Sequence, residues 1–197
     1  MSMIGNEDFI DRVTLQCRII VGALILGVVG ALGVAMVVDL RPNAVAPANP
    51  AQARREPEAN RPDMGTIITW VAVAMAAVAL PLSFVVPRLV AQQSRRAIAA
   101  GTWSATVKMP IAPEASPTDA DKLAMVYQTQ LIIGAAMNEG AAFFAAISYL
   151  IGKDPIALGL GILLVGGLIA RFPAKDRVAL WIDRQQEQLI LEKQAAI

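Results

Sequence analysis

Long uncharged apolar runs alternate with polar connectors along the 197-residue chain. Four runs stand out: residues 19–38 (IIVGALILGVVGALGVAMVV), 65–87 (GTIITWVAVAMAAVALPLSFVVP), 131–151, and 155–170 (PIALGLGILLVGGLIA). The first two are long enough to cross a hydrocarbon core, which needs roughly 20 helical residues. The fourth is short, lying between Asp154 and Arg171; it either spans with Arg171 snorkelling at its end or is re-entrant. We read it as a span, because the turn before it is specified in "IGKDPIA". There Gly152 suits a helix C-terminal stop, Asp154 an N-cap and Pro155 the first helical position. The pattern predicts an all-α polytopic integral membrane protein. Its four transmembrane helices form two hairpins, 19–38 with 65–87 and 123–152 (core 131–151) with 155–171.

The connectors have characters of their own. Residues 39–64, with "RPNAVAPANPAQARREPEANRPD", are rich in Pro, Ala and Asn without apolar periodicity, and predict a flexible extracytoplasmic tether. The loop 88–122 begins with "RLVAQQSRRAIAAG", a helical extension of the second span ending near Gly101, and passes through the Pro-rich "KMPIAPEASP". In "SPTDADKLAMVYQTQ" a helix restarts with Thr118 as N-cap and Asp121 three residues on, so the third span ends a helix running from about residue 119 to 151. The tail, 174–197, places Val178, Trp181, Ile182 and Leu189 on one side. That amphipathic helix should lie against the membrane surface, against the helix before the third span, or on a partner.

Charge orients these elements. Arg12 and Arg18 lie in the N-terminal segment 1–18, while Arg88, Arg95, Arg96, Lys108 and Lys122 separate the second and third spans. Arg171, Lys175, Arg177 and Arg184 follow the fourth. Positive residues stay cytoplasmic, so both termini should be cytoplasmic in a bacterial inner membrane. Arg41, Arg54, Arg55 and Arg61 in the first loop run against the rule, but most lie far from a span end beside acidic neighbours. "AVA" at 44–46 mimics a signal-peptide cleavage site, yet the run before it is too long for a signal h-region and Glu7, Asp8 and Asp11 precede it, so we read an uncleaved anchor. Tyr127, Tyr149, Trp70 and Trp181 fall where interfacial aromatic belts would lie.

Composition narrows the chemistry. The chain is 56% hydrophobic and 17% charged, has no histidine and carries one cysteine, Cys17. The commonest general base and metal ligand is therefore missing, and no disulfide or cysteine-cluster metal site can form within the chain. A net charge of +1 and the lack of a basic run interleaved with aromatics argue against nucleic acid as a partner. No nucleophile elbow or phosphate-binding loop occurs. Neither a cofactor nor catalytic residues are expected.

One residue is out of place. Glu139 sits near the middle of the third apolar run, where a charged carboxylate costs roughly 2.5 to 3.5 kcal/mol on insertion scales; it should face protein or water and be protonated unless paired. Asn138 is its neighbour, about 100° around the helix. Gly134 and Gly140, with Ala135, Ala136, Ala141 and Ala142, make a collar that admits another helix closely. A matching ladder, Ala23, Gly27, Ala31 and Ala35, recurs every four residues in the first run. Spans one and three should pack together, with Glu139 and Asn138 as interhelical hydrogen-bond contacts inside the bundle or between copies. Pro81, which frees a carbonyl, and Ser83 are the expected polar partners in span two.

"IIGAAMNEGAAFFAAISYLI" resembles the carboxylate helix of rotary ATPase proteolipid (c-type) subunits, where a Glu among small residues binds the transported proton or sodium ion. The likeness covers about 20 residues, whereas the long loops and tail have no counterpart there. "QTQLIIGAAMNEGAAFF" together with "RFPAKDRVALWIDRQ" is similar to uncharacterised four-span membrane proteins of planctomycete-type bacteria, a likeness that implies an inner-membrane location and no activity. The expected function is a non-enzymatic accessory, scaffold or self-assembling component whose partners are the lipid bilayer and a second copy or another membrane protein. The alternative is a proton- or cation-transporting oligomer using Glu139.

Overall fold

The computed structural model describes residues 4–40, 64–104 and 117–195. The expected tether and its arginines, and most of the Pro-rich stretch after Lys108, lie outside the described residues. The described residues form five helices, α1 Ile4–Leu40, α2 Met64–Ala99, α3 Asp119–Gly152, α4 Pro155–Ala170 and α5 Lys175–Ala195, with no strand among them. Three of these, α1, α2 and α3, are long and apolar enough to cross a membrane. Each is about 50 Å or more in length at 1.5 Å per residue, and so projects well beyond a hydrocarbon core of about 30 Å. Helix α4, with 16 residues and about 24 Å, falls short alone. It reaches the length of a fourth span only when counted with α5, from which it is bent by 68°.

Helix α3 is the centre. It packs against all four other helices, whereas the α1 and α2 backbones do not come close to each other among the described residues. The expected first hairpin is therefore not a packed pair, because α3 lies between its two arms. Alanine makes this feasible: Ala135, Ala141, Ala142, Ala145 and Ala146 are all buried, so neighbours approach the α3 backbone from several sides. At the end of α3 that leads into α4, the α2 and α3 backbones nearly touch. A Cβ on Gly152 would lie 2.9 Å from the Gly65 Cα, and the Ser148 hydroxyl donates to the Ile68 carbonyl at 3.4 Å.

Gly152 thus serves packing rather than chain reversal. The left-handed residue that ends α3 is Lys153, at φ 54°, whose N–H donates to the Tyr149 carbonyl. The rest of the turn follows from local chemistry: Asp154 accepts from the Ile156 N–H at 2.9 Å, and Pro155 occupies the first turn. At the other end of α3, Thr118 and Asp121 cap each other reciprocally.

The core has two main parts. Val21, Val28 and Leu32 of α1 meet Ala76 of α2, Ala135 and Ala142 of α3, and Leu164 and Leu168 of α4. Below them, Val13 and Cys17 join Ala91, Ile98, Leu123 and Ala124 with Val178, Ile182 and Leu189 of the tail. Outward faces are apolar too, with Leu26, Trp70, Val78 and Leu163 all more than half exposed, the pattern of a protein solvated by lipid.

The tail is docked rather than loose. Trp181 meets Tyr127 edge-on with ring centroids 5.2 Å apart. Arg95 of α2 donates to Glu192 at 2.9 Å and Gln185 at 2.9 Å, and also to Gln188. Lys193 closes on Asp119 at 2.5 Å. Arg95, read from sequence as a topology signal, is a clamp on α5.

Glycine substitutions separate these roles. Gly152→Ala drives a methyl into the Gly65 backbone and is expected to lower stability by about 1–3 kcal/mol. Gly159→Ala, whose methyl meets nothing within 4 Å, should raise it by about 0.5–1 kcal/mol through helix propensity. Thermal unfolding in detergent followed by circular dichroism checks the opposite signs.

Candidate functional site

Glu139 and Asn138 face different helices. The Glu139 side chain lies against α1, where its Oε1 is 3.9 Å from the position of a Cβ on Gly27, and Phe143 fills the same gap at 3.4 Å. It is half-buried and forms no hydrogen bond or ion pair among the described residues. Asn138 is turned to α4 and is buried; a Cβ on Gly167 would lie 3.2 Å from its Nδ2. Its Oδ1 is buried without a partner. Two polar groups adjacent in sequence are thus separated by the helix between them, and neither forms the polar contact inside the bundle that sequence suggested.

The small-residue ladder behaves in a way its spacing explains. Ala35 is buried beside Tyr149 and Ala157, Ala31 is half-buried against the core, Gly27 meets Phe143, and Ala23 is exposed. Residues four apart advance by about 40° around a helix, so the ladder winds from the outer surface at Ala23 into the core at Ala35. On α3, Gly140 likewise faces outward with nothing near its missing Cβ, next to exposed Ala136. Among the described residues neither Ala23 nor Gly140 is packed against another helix.

A different polar cluster holds the bundle together at the end of α4 nearest the tail. Arg171, the residue after α4, turns its guanidinium inward instead of snorkelling. Nη1 donates to the Gly134 carbonyl at 2.8 Å and Nη2 to the Ser83 hydroxyl at 2.8 Å. The guanidinium carbon lies 4.1 Å from the centre of the Phe84 ring, within cation–π range. Ser83 completes the chain by donating to the Leu80 carbonyl at 2.6 Å. The expected partner of Glu139 in span two is therefore the partner of Arg171.

Gly134 and Pro87 make room for this. A Cβ on Gly134 would lie 2.8 Å from Arg171 Nη1 and 3.0 Å from the Ser83 carbonyl oxygen, so only glycine admits the arginine. Pro87, four residues after Ser83, has no N–H to give that carbonyl, which leaves an extra acceptor beside the cation. Two neighbouring arginines brace the same bend: Arg18 Nε donates to the Pro173 carbonyl at 3.1 Å, and Arg177 reaches the Ala170 carbonyl at 3.5 Å. Cations at the last carbonyls of α4 also favour its dipole. Three signals were present in the sequence: an arginine ending a short apolar run, a serine four residues before a proline, and a glycine on the facing helix. None is specific without the fold that joins them.

Beside Arg171 opens a cleft of about 240 Å³, with Arg88, Tyr127, Gln130 and Trp181 in its walls and Phe84 and Leu131 below. No group of three or more metal-ligating side chains occurs among the described residues. No protein-family model matches the chain, and no curated protein or solved structure matches it.

Two substitutions test what Arg171 holds. Ser83→Ala removes one acceptor from a charged donor, a loss of about 1.5 kcal/mol at the low end for such bonds because Arg171 is half-exposed. Gly134→Ala displaces the guanidinium altogether. Both should raise deuterium uptake at the bend 171–174 while leaving the α3–α4 turn as in the wild type; unchanged uptake at the bend would contradict the role given to Arg171.

Proposed function

We propose that the protein is a non-enzymatic, four-span component of a bacterial inner membrane, with both termini cytoplasmic, that acts by assembling with further copies through the face around Glu139. One observation carries this reading. A carboxylate in mid-span has no partner among the described residues, and the small residues beside it, Gly27, Ala136 and Gly140, are exposed. A polar group at that depth gains most from a hydrogen bond to another helix, and small residues let a helix come close enough to form one. Ala23 and Gly140, idle within one chain, then belong to the contact between chains. Support for the fourth span comes from α4, which runs back along α3 from the turn at Lys153 to the level of Gly134. Arg171 there meets Ser83, close to the inner end of the 65–87 run. With four crossings, the arginines before the first apolar run, after the second and after α4 share one side.

A second reading keeps Glu139 as the ion-carrying carboxylate of a transporting oligomer, and its unpartnered state in mid-span favours it. Against this stands the separation of Asn138, which leaves no second polar side chain hydrogen-bonded to Glu139 among the described residues.

Measurement of oligomeric state in lipid nanodiscs decides between them. The wild type should assemble, Glu139→Gln should remain assembled, and Glu139→Leu should weaken assembly roughly three- to thirtyfold, the range expected for one hydrogen bond between membrane helices. Gly140→Leu should disrupt assembly without lowering the stability of the single chain. A monomeric wild type would sink the assembly reading. Proton or sodium flux in liposomes, abolished by Glu139→Gln, would establish the transport reading instead.

A further inference from the structure

We propose that the cleft between α2, α3 and the α4–α5 bend binds the phosphate of an anionic phospholipid from the leaflet on the side of the tail helix. Its depth points to a lipid. Ser83 and Gly134, which anchor Arg171, lie about one turn inside the ends of the apolar runs 65–87 and 131–151, and Arg88 is the first residue beyond the α2 run. The opening therefore straddles the edge of the hydrocarbon, where phospholipid phosphates lie. Tyr127 and Trp181 stand in its wall, the amphipathic rings that favour this level.

Charge points to an anion. Two arginines and no acid line the cleft. Arg88 is exposed and makes no hydrogen bond or ion pair among the described residues. Arg171 gives one N–H to Gly134 and one to Ser83, which leaves part of its five-donor fork free. The Gly134 and Ser83 contacts hold that fork in place, so its remaining donors are oriented before any ligand arrives. Arg96, also exposed on α2, lies outside the cleft, and Arg95 is committed to the tail.

Size and lining favour a lipid over a free phosphate. The volume of about 240 Å³ is below the range of about 300–1,000 Å³ that encloses a whole small-molecule ligand, and fits a head group rather than the acyl chains. Phe84 and Leu131 offer apolar surface beside the arginines, against which glycerol and the start of an acyl chain would pass. Exposed Leu82 and Val85 on α2 continue an apolar path for the chains. A water-soluble phosphate would use none of this surface.

The test is native mass spectrometry of the full-length protein released from detergent micelles doped with equal amounts of dioleoylphosphatidylglycerol and dioleoylphosphatidylcholine. The wild type is expected to retain one phosphatidylglycerol per chain in preference to phosphatidylcholine. Arg88→Gln should cut that retention about fivefold, the equivalent of roughly 1 kcal/mol per arginine at an anionic surface, with the melting temperature unchanged. Arg96→Gln should retain lipid as the wild type does. Equal retention of the two lipids, wild-type retention by Arg88→Gln, or an equal loss in Arg96→Gln would each overturn the proposal. Displacement of phosphatidylglycerol by millimolar inorganic phosphate or glycerol 3-phosphate would overturn it in favour of a soluble phosphate ligand.

Discussion

Close approach to the backbone of α3 is the constraint on which the other contacts depend. Inside a bilayer, apolar side chains gain little by leaving lipid for one another, so helices associate through close packing and through polar contacts that packing brings within reach. The alanines of α3 meet α1, α2 and α4 on separate faces, and where contact is tightest the side chain vanishes altogether, at Gly152 against Gly65 and at Gly134 beneath Arg171. Enlarge these positions and the carbonyl of Gly134 is covered, the bend after α4 loses its anchor, and the tail is no longer aimed at Leu123 and Ala124.

The bend shows how a charge is kept near the edge of the hydrocarbon. An arginine at the bilayer centre costs about 2.5–3.5 kcal/mol on insertion scales. Arg171 is nearer the edge, which lowers that cost, and two hydrogen bonds from a charged donor plus an aromatic face return an amount of the same order. The balance favours turning inward over reaching for water, because an inward arginine also satisfies a backbone carbonyl and joins three helices. The short length of α4 is what brings Arg171 to that level. A helix one turn longer would carry the guanidinium past Ser83 and Gly134.

Sequence reading succeeded where apolar period and local chemistry act alone, and failed where partners come from distant elements. The runs at 19–38, 65–87 and 131–151 lie within long helices, and Thr118, Asp121, Asp154 and Pro155 act through atoms a few residues away, so an all-helical chain with several membrane-length helices was legible. Helix α3 does stop at Gly152, but the left-handed residue is Lys153: a glycine at a helix end has two uses, a left-handed turn or a close contact, and only the presence of Gly65 shows which one applies. Ser83 was assigned to Glu139 because the nearest unpaired group in the same apolar region was the natural choice. Its actual partner lies 88 residues away at the end of another run. The separate directions of Glu139 and Asn138 followed from helix geometry, whereas their lack of hydrogen-bond partners among the described residues did not.

The lack of close backbone packing between α1 and α2 among the described residues bears on how the protein is made. Synthesis proceeds from the N-terminus, so α1 and α2 are complete before the helix that both of them pack against. Each must wait in the bilayer as a lone segment, which their apolar exteriors allow. Assembly then begins with α3, whose arrival gives both earlier helices a partner at once, and ends with α5, which can close on α2 and α3 only after α4 has turned the chain back. The order of translation and the order of packing are offset by one helix, and the fold stays open until its third member appears.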